Sequence, residues 1–135
     1  MSRKRYNNVM LIDDNDIDNL INQKMIEAAV VAENIYTHTS AKSAIEFLRN
    51  VEKLSVADQV LPDVIFLDID MPLMDGFQFL DEFEKLGNGL KKKSRIVMLT
   101  SSINPQDFTR SKKYPSVKQY LNKPLTHESI VNLEL

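Results

Sequence analysis

The chain has 135 residues, a formal net charge of −2 and a charged fraction of 27%. This length is typical of one domain with its own buried core, and the near-neutral charge offers no basic field for nucleic acid. The sequence contains no cysteine, which excludes disulfides, thiolate metal sites and cysteine nucleophiles. No apolar run approaches membrane-spanning length. We therefore expect one soluble, cytoplasmic domain over residues 1–135.

Short apolar runs alternate with helical patterns in the first half of the chain. Residues 9–12 predict a buried strand that stops at two aspartates. A set of apolar residues then follows helical spacing: Ile17, Leu20, Ile21, Met25 and Ala28. Residues 34–38 predict a weaker, partly polar strand. A second stripe of helical spacing, which Ser40 is placed to cap, comprises Ala41, Ala44, Ile45, Leu48 and Val51.

The third strand and third helix have clear local signals. Residues 64–67 are apolar throughout, which is typical of a strand in a sheet covered on both faces. Asp75 and Gln78 lie three positions apart, as in a capping box, and predict the start of a helix. Gly87 is the predicted end of this helix, and residues 87–94 are predicted as a loop with three consecutive lysines.

The same alternation continues to the C-terminus. Residues 96–99 predict a fourth strand, and Asn104 followed by Pro105 predicts the start of a fourth helix. Residues 117–121 predict a short fifth strand, after which Thr126 is placed to cap a last helix. Five strand–helix repeats of this kind favour a parallel sheet with helices on both faces.

Polar residues follow the carboxyl ends of the predicted strands. Asp13 and Asp14 follow the first strand, and Asp68 follows the third. Thr100 follows the fourth strand and Lys123 the fifth. In an all-parallel sheet these ends share one edge, and ligands bind there where the strand order reverses. A strand order of 2-1-3-4-5 would place the first and third strands side by side and bring the three aspartates together.

Such a cluster has a definite chemistry. Two unit charges about 4 Å apart repel by roughly 4 kcal/mol at an effective dielectric near 20, so a cation or protons must relieve three converging carboxylates. Mg²⁺ prefers oxygen ligands of this type together with a phosphate group. A lysine and a hydroxyl group on the same edge can each donate to phosphoryl oxygens. Together these groups indicate phosphoryl transfer to an aspartate.

Four segments together resemble the receiver domain of bacterial response regulators, of the CheY-like kind. They are VMLIDDN, VIFLDIDMPLMDG, VMLTSS and YLNKP, in that order along the chain. The resemblance implies a (βα)5 flavodoxin-like, doubly wound parallel sheet of strand order 2-1-3-4-5. It implies a phospho-receiver of two-component signalling, which accepts a phosphoryl group on Asp68 and switches conformation to regulate a separate partner. It also implies an acceptor with intrinsic autodephosphorylation rather than an enzyme.

The resemblance assigns a Mg²⁺ site to the acidic residues. It implies that Asp14 is a direct ligand and that Asp13 acts largely through water. Asp68 would be a ligand as well as the phosphoacceptor. The backbone carbonyl of Asp70 would complete the protein's share of the coordination.

The resemblance also assigns the groups that respond to phosphorylation. Thr100 would be the switch hydroxyl, Tyr120 the aromatic side chain that changes rotamer with it, and Lys123 the cation that binds the phosphoryl group. The bond between Lys123 and Pro124 is expected to be cis. Ser101 stands where the family usually has alanine or glycine, and we expect it to narrow access to the phosphoryl group.

The resemblance implies two kinds of protein partner. A histidine kinase or histidine phosphotransfer domain is expected to dock near the first helix, around residues 17–24. The downstream effector is expected on the face formed by the fourth helix, the fifth strand and the fifth helix. Lys112, Lys113, Lys118 and Gln119 are the candidate contacts there. Neither direct nucleic-acid binding nor membrane insertion is expected.

Two alternatives stand beside this interpretation. Haloacid-dehalogenase-type phosphatases place an Asp-x-Asp pair after a strand, then a threonine or serine, then a lysine. The same residue types occur here at Asp68, Asp70, Thr100 and Lys123. In this chain, however, an acidic pair precedes the nucleophile, and the chain is short for that fold. The second alternative is a pseudo-receiver that binds partners without ever being phosphorylated, which the unusual Ser101 leaves open.

Overall fold

A computed structural model describes residues 4–54, 60–101, 104–133 and 135. Its strands are β1 (Tyr6–Ile12), β2 (Ala32–His38), β3 (Val64–Asp68), β4 (Arg95–Thr100) and β5 (Val117–Asn122). Its helices are α1 (Asp16–Ala29), α2 (Ala41–Val51), α3 (Gly76–Phe83), α4 (Asn88–Lys93), α5 (Pro105–Ser111) and α6 (His127–Val131). Ser102, in the VMLTSS segment, lies outside the described residues.

The five strands form one parallel sheet in the order β2-β1-β3-β4-β5, which confirms the predicted topology. Strands β1 and β3 are neighbours, with Ile12 opposite Leu67. Asp68 lies opposite Leu99 of β4. The carboxyl ends of β1, β3 and β4 therefore meet at one edge of the sheet.

Each face of the sheet has its own apolar core because successive residues of a strand point to opposite sides. In β3, Ile65 and Leu67 pack on one side, in a cluster that includes residues of α2 and α3. Val64 and Phe66 pack on the other side, in a cluster that includes residues of α1 and α6. This two-sided burial explains why β3 is apolar throughout.

Side-chain caps begin most of these helices where the sequence predicts them. The Ser40 hydroxyl accepts a hydrogen bond from the backbone N–H of Ser43 at 3.1 Å. Asp75 and Gln78 form the predicted reciprocal capping box of α3. Asn104 caps α5, and Thr126 caps α6. Each cap satisfies a backbone donor that the first helical turn leaves free, and such a cap typically contributes about 1 kcal/mol.

The predicted loop over residues 87–94 is wrong, because the short helix α4 occupies most of it. Helix α3 ends at Phe83, and Gly87 is the residue before α4 rather than the end of α3. The buried side chain of Leu90 fixes α4 to the core. Only one of the six residues of α4 is buried, so the sequence shows no helical periodicity there, and its consecutive lysines indicated a loop.

Helix α1 forms where predicted, but the N-terminal part of its apolar stripe faces outward, while Met25 packs against the core. An apolar stripe is ordinarily the buried face of a surface helix. Here Ile17 is 67% exposed, Leu20 is 55% exposed and Ile21 is 42% exposed. The described residues include no helix that is long and apolar enough to cross a membrane.

The buried side of α1 consists of Asn19, Asn22 and Ile26. The side-chain amide of Asn19 donates to the backbone carbonyl of Asp13 at 2.9 Å. The side-chain oxygen of Asn22 accepts from the backbone N–H of Leu125 at 3.0 Å. Buried polar groups need such partners, and these two tie α1 to the loops that follow β1 and β5.

Candidate functional site

Three aspartates converge at the carboxyl edge of the sheet. One carboxylate oxygen from each of Asp13, Asp14 and Asp68 lies within 4.8 Å of the other two. Asp13 and Asp68 are buried and Asp14 is exposed. The adjacency of β1 and β3 produces this cluster, as the strand-end pattern predicted.

Lys123 extends its ammonium group into this cluster. Its Nζ lies 2.9 Å from Asp13 Oδ2 and 3.3 Å from Asp68 Oδ1. A third carboxylate, that of Asp18, lies 3.0 Å from the same nitrogen. The backbone N–H of Lys123 donates to the carbonyl of Thr100 at 2.7 Å, which anchors the lysine to the end of β4. The bond from Lys123 to Pro124 is cis, as expected.

The electrostatics of the cluster favour a bound cation. Burial, and then the charge of Asp13, raises the pKa of Asp68 to about 7, against the opposing effects of Lys123 and the Asp70 backbone. Burial lowers the pKa of Lys123, but the hydrogen bonds and charges of its carboxylate partners outweigh burial and hold that pKa above its usual value. The single positive charge of Lys123 therefore does not fully compensate the negative charges of Asp68 and Asp13.

The acidic pair after β1 does not cap α1. The side chain of Asn15 performs that function by accepting from the backbone N–H groups of Ile17 and Asp18. Asp13 stabilises the preceding turn instead, because its Oδ1 accepts from the backbone N–H of Asn15 at 2.9 Å. The carboxylate of Asp14 is left on the exposed side of the cluster.

A close backbone approach behind the acceptor explains the glycine of the MDG segment. A Cβ atom on Gly76 would lie 2.9 Å from the backbone oxygen of Asp68 and 2.9 Å from the Cα of Ile69. The N–H of Gly76 donates to the carbonyl of Ile69 at 2.9 Å. Helix α3 can therefore begin directly against the end of β3, which fixes the loop carrying Asp68 and Asp70.

Thr100 and Tyr120 lie beside the cluster on β4 and β5. Thr100 is buried at the end of β4. The half-buried ring of Tyr120 packs edge-on against Phe108, with ring centroids 5.6 Å apart. Burial and the charge of Asp107 raise the pKa of Tyr120, and hydrogen-bonding groups that include the Thr100 side chain lie close enough to oppose this. The structure therefore brings the two predicted switch residues together.

Comparison with known proteins agrees with this arrangement. The sequence profile of the response regulator receiver domain matches residues 9–133. The chain belongs to this family. A solved two-component response regulator from Cytophaga hutchinsonii superimposes with a TM-score of 0.87 at 33% identity, covering 96% of this receiver and 94% of that chain. The phosphorylated cyanobacterial phytochrome response regulator RcpA gives a TM-score of 0.72 at 26% identity, covering 93% and 86%.

Curated relatives are more distant. The sensor histidine kinase CheAY of Helicobacter pylori is 27% identical over 93% of this receiver, which spans 14% of that protein's length. The probable methanogenesis regulatory protein FilR2 of Methanothrix harundinacea is 26% identical over 90% of this receiver and 75% of that protein. The family and the sheet order are those of the receiver interpretation.

The residues present fit a hard divalent cation. The cluster offers three carboxylates, and oxygen ligands of this kind suit Mg²⁺. Asp14 and Asp68 are the best placed to bind directly, since both oxygens of Asp13 already accept hydrogen bonds, from Asn15 and Lys123. The indirect role expected of Asp13 stays a prediction. Coordination by the Asp70 carbonyl stays a prediction.

Asp18 is the site residue that sequence reasoning missed. It lies in the first turn of α1 rather than at a strand end, so the rule that gathered the other residues did not include it. A helical carboxylate five positions after Asp13 gives no specific signal in the sequence. Its contact with Lys123 becomes visible only when the fold brings the residue that follows β5 to the first turn of α1.

Proposed function

We propose that this receiver accepts a phosphoryl group on Asp68 from a phosphohistidine, donated by a histidine kinase or a histidine phosphotransfer domain, and regulates a separate partner. The observation that carries the proposal is a buried carboxylate with an ammonium group 3.3 Å away and two further aspartates within 4.8 Å. Phosphoryl transfer depends chiefly on positioning and on charge stabilisation, and this arrangement supplies both.

In the proposed step a carboxylate oxygen of Asp68 bonds to phosphorus while the phosphorus–nitrogen bond of the phosphohistidine breaks. The bonding pair returns to the ring nitrogen, and the product is an acyl phosphate. Mg²⁺ bound at the aspartates would neutralise charge on the transferred group. Lys123 donates to one phosphoryl oxygen, and Thr100 is the hydroxyl donor to another. We propose that the protein is a phosphoacceptor with intrinsic autodephosphorylation rather than an enzyme that acts on a separate substrate.

The exposed stripe of α1 supports the expected docking site for the phosphoryl donor. Ile17, Leu20 and Ile21 present apolar side chains to solvent beside the acidic cluster. Exposed apolar patches of this kind often mark interaction surfaces. A phosphohistidine domain that covers this stripe would place its reactive ring near Asp68, and it would exclude water from the transfer.

The opposite side of the site supports the expected output face. Phosphorylation adds charge and oxygen acceptors at Asp68, toward which Thr100 and Tyr120 can shift. Tyr120 contacts Phe108 of α5, whose ring lies under Lys112 at 4.5 Å. A change at Tyr120 would thus alter the α5–β5 surface, where Lys112, Lys113 and Lys118 are exposed. The effector is a protein that distinguishes the two arrangements of this surface.

The test is intact mass after incubation with acetyl phosphate, with Mg²⁺ present and with Mg²⁺ chelated. We expect wild type to gain one phosphoryl group only with Mg²⁺, and Asp68→Asn to gain none. The matched control is Asp16→Asn, which removes an exposed carboxylate from α1 and should leave the gain unchanged. No gain in wild type would favour a pseudo-receiver, and rapid continuous turnover of acetyl phosphate or of other phosphoesters would favour a phosphatase.

A further inference from the structure

Asp18 binds the lysine that the proposed mechanism requires for the phosphoryl group. Its Oδ2 lies 3.0 Å from Lys123 Nζ, closer than the 3.3 Å between that nitrogen and Asp68 Oδ1. The backbone N–H of Asp18 donates to the side chain of Asn15 at 3.0 Å, so the helix cap holds Asp18 in place. The contact is therefore built into the start of α1.

Lys123 donates hydrogen bonds to Asp13 and Asp18 and forms an ion pair with Asp68. An ammonium group has three N–H donors, and its neighbours here are Asp13, Asp18 and Asp68. A phosphoryl group on Asp68 adds new acceptor oxygens. A bond from Lys123 to one of them draws the ammonium group away from the carboxylates to which it already donates, so Asp13 and Asp18 compete with the phosphoryl group.

Asp18 is the competitor that can be released. The side chain of Asp13 is 3% exposed and belongs to the acidic cluster, whereas the side chain of Asp18 is 37% exposed and lies outside that cluster. A cavity of about 260 Å³ adjoins the pair, lined by Asp18, Ile21, Asn22, Ser101, Lys123 and Pro124. The Asp18 carboxylate or the lysine can move into this space.

We propose that Asp18 is a positioning residue that holds Lys123 back from the phosphoryl group and so weakens the phosphorylated state of the receiver. This inference rests on the proposed function and adds an element of regulation to it. Ion pairs that are partly exposed have modest strength, so removal of the Asp18 charge should strengthen binding of a phosphoryl group by about two- to fivefold.

The experiment measures Mg²⁺-dependent binding of beryllofluoride, a stable mimic of a phosphoryl group on a carboxylate, by fluorine NMR titration. Asp18→Asn keeps the shape of the side chain and removes its charge, and we expect it to bind about two- to fivefold more tightly than wild type. Asp18→Glu restores a carboxylate and should return the affinity toward that of wild type. Asp16→Asn removes a neighbouring charge from the same helical turn and should match wild type.

The outcomes separate this inference from the function on which it rests. If wild type and every variant fail to bind beryllofluoride, the proposed function fails. If wild type binds and Asp18→Asn matches Asp16→Asn or binds more weakly, the proposal for Asp18 is overturned. Circular dichroism melting of each variant, with Asp18→Ala as a second substitution, establishes that the differences arise in the folded protein.

Discussion

Helices α1 and α2 both follow a strand of the same sheet, yet they bury different kinds of side chain. The five apolar residues of the α2 stripe are all buried, whereas three residues of the α1 stripe, at its N-terminal end, are exposed and two asparagines are buried in their place. Both helices begin with a side-chain cap, at Asn15 and at Ser40. The difference therefore lies in what each helix contacts, and not in how it forms.

The position of α1 beside the acidic cluster explains the contrast. Its inner face must satisfy the backbone groups of the loops that carry Asp13 and Lys123, and Asn19 and Asn22 do so. Its outer face is free to bind another protein. Helix α2 begins after β2, at the edge of the sheet away from β3, and its stripe serves the core alone. Helix α1 thus supports the functional site, whereas α2 contributes only to the apolar core.

The sharpest test of this contrast is to shorten one leucine on each helix. Leu48 of α2 is fully buried, so Leu48→Ala should reduce the free energy of unfolding by about 2–5 kcal/mol. Leu20 of α1 is exposed, and Leu20→Ala should change it by no more than about 0.5 kcal/mol. Urea unfolding followed by circular dichroism measures both. Similar losses in the two variants would mean that the α1 stripe also serves the core.

A second test concerns the buried amide of α1. Asn22→Ala leaves the N–H of Leu125 without its acceptor inside the protein. We expect a loss of about 1–3 kcal/mol in the free energy of unfolding. Lys24→Ala, on the exposed side of the same helix, is the matched control and should be nearly neutral. A neutral Asn22→Ala would show that the polar inner face of α1 contributes little to stability.

The sequence predicted the sheet and most of the site because both follow one rule. Polar residues at the carboxyl ends of apolar strands must share an edge in a parallel sheet, and Asp13, Asp68 and Lys123 do so. The rule is insensitive to the details of individual helices. It therefore required no knowledge of which face of α1 or α2 is buried.

The features that the strand-end rule did not predict depend on contacts between distant segments. Hydrophobic periodicity locates α1 but assumes that the apolar stripe is the inner face, and Asn22 reverses this through its bond to Leu125. Helix α4 depends on a single buried residue, Leu90. The contact of Asp18 with Lys123 joins residues 105 positions apart, and no local pattern encodes it.

The third test asks whether the exposed stripe of α1 binds the phosphoryl donor. Leu20→Ala should slow transfer from a phosphorylated histidine phosphotransfer domain by about fivefold, the equivalent of roughly 1 kcal/mol at an interface residue. Phosphorylation by acetyl phosphate, which needs no docking, should be unchanged. Leu54→Ala is the matched control, since Leu54 is 53% exposed and lies beyond the end of α2. If phosphorylation by both donors slowed equally, Leu20 would act on the acidic site around Asp68 and not on docking of the phosphoryl donor.

The smallest expected effect concerns His38, the last residue of β2. Its backbone carbonyl accepts from the N–H of Asp13, and its ring nitrogen Nδ1 lies 2.8 Å from the hydroxyl of Ser43 in α2. Burial lowers the pKa of this ring below its usual value. The unfolded state therefore binds the proton more tightly, so the contribution of His38 to stability is complete above about pH 6.5 and decreases as the pH falls below it.

Asp68 responds in the opposite direction, because its raised pKa favours the folded state as the pH falls through about 7. The measurement is therefore the difference in melting temperature between wild type and His38→Gln, followed from pH 8 to pH 5. We expect wild type to lose stability relative to this variant as the pH falls. His127→Gln, at an exposed histidine on α6, should follow wild type throughout. A constant difference would mean that the ring of His38 reaches water as freely in the folded protein as in the unfolded chain.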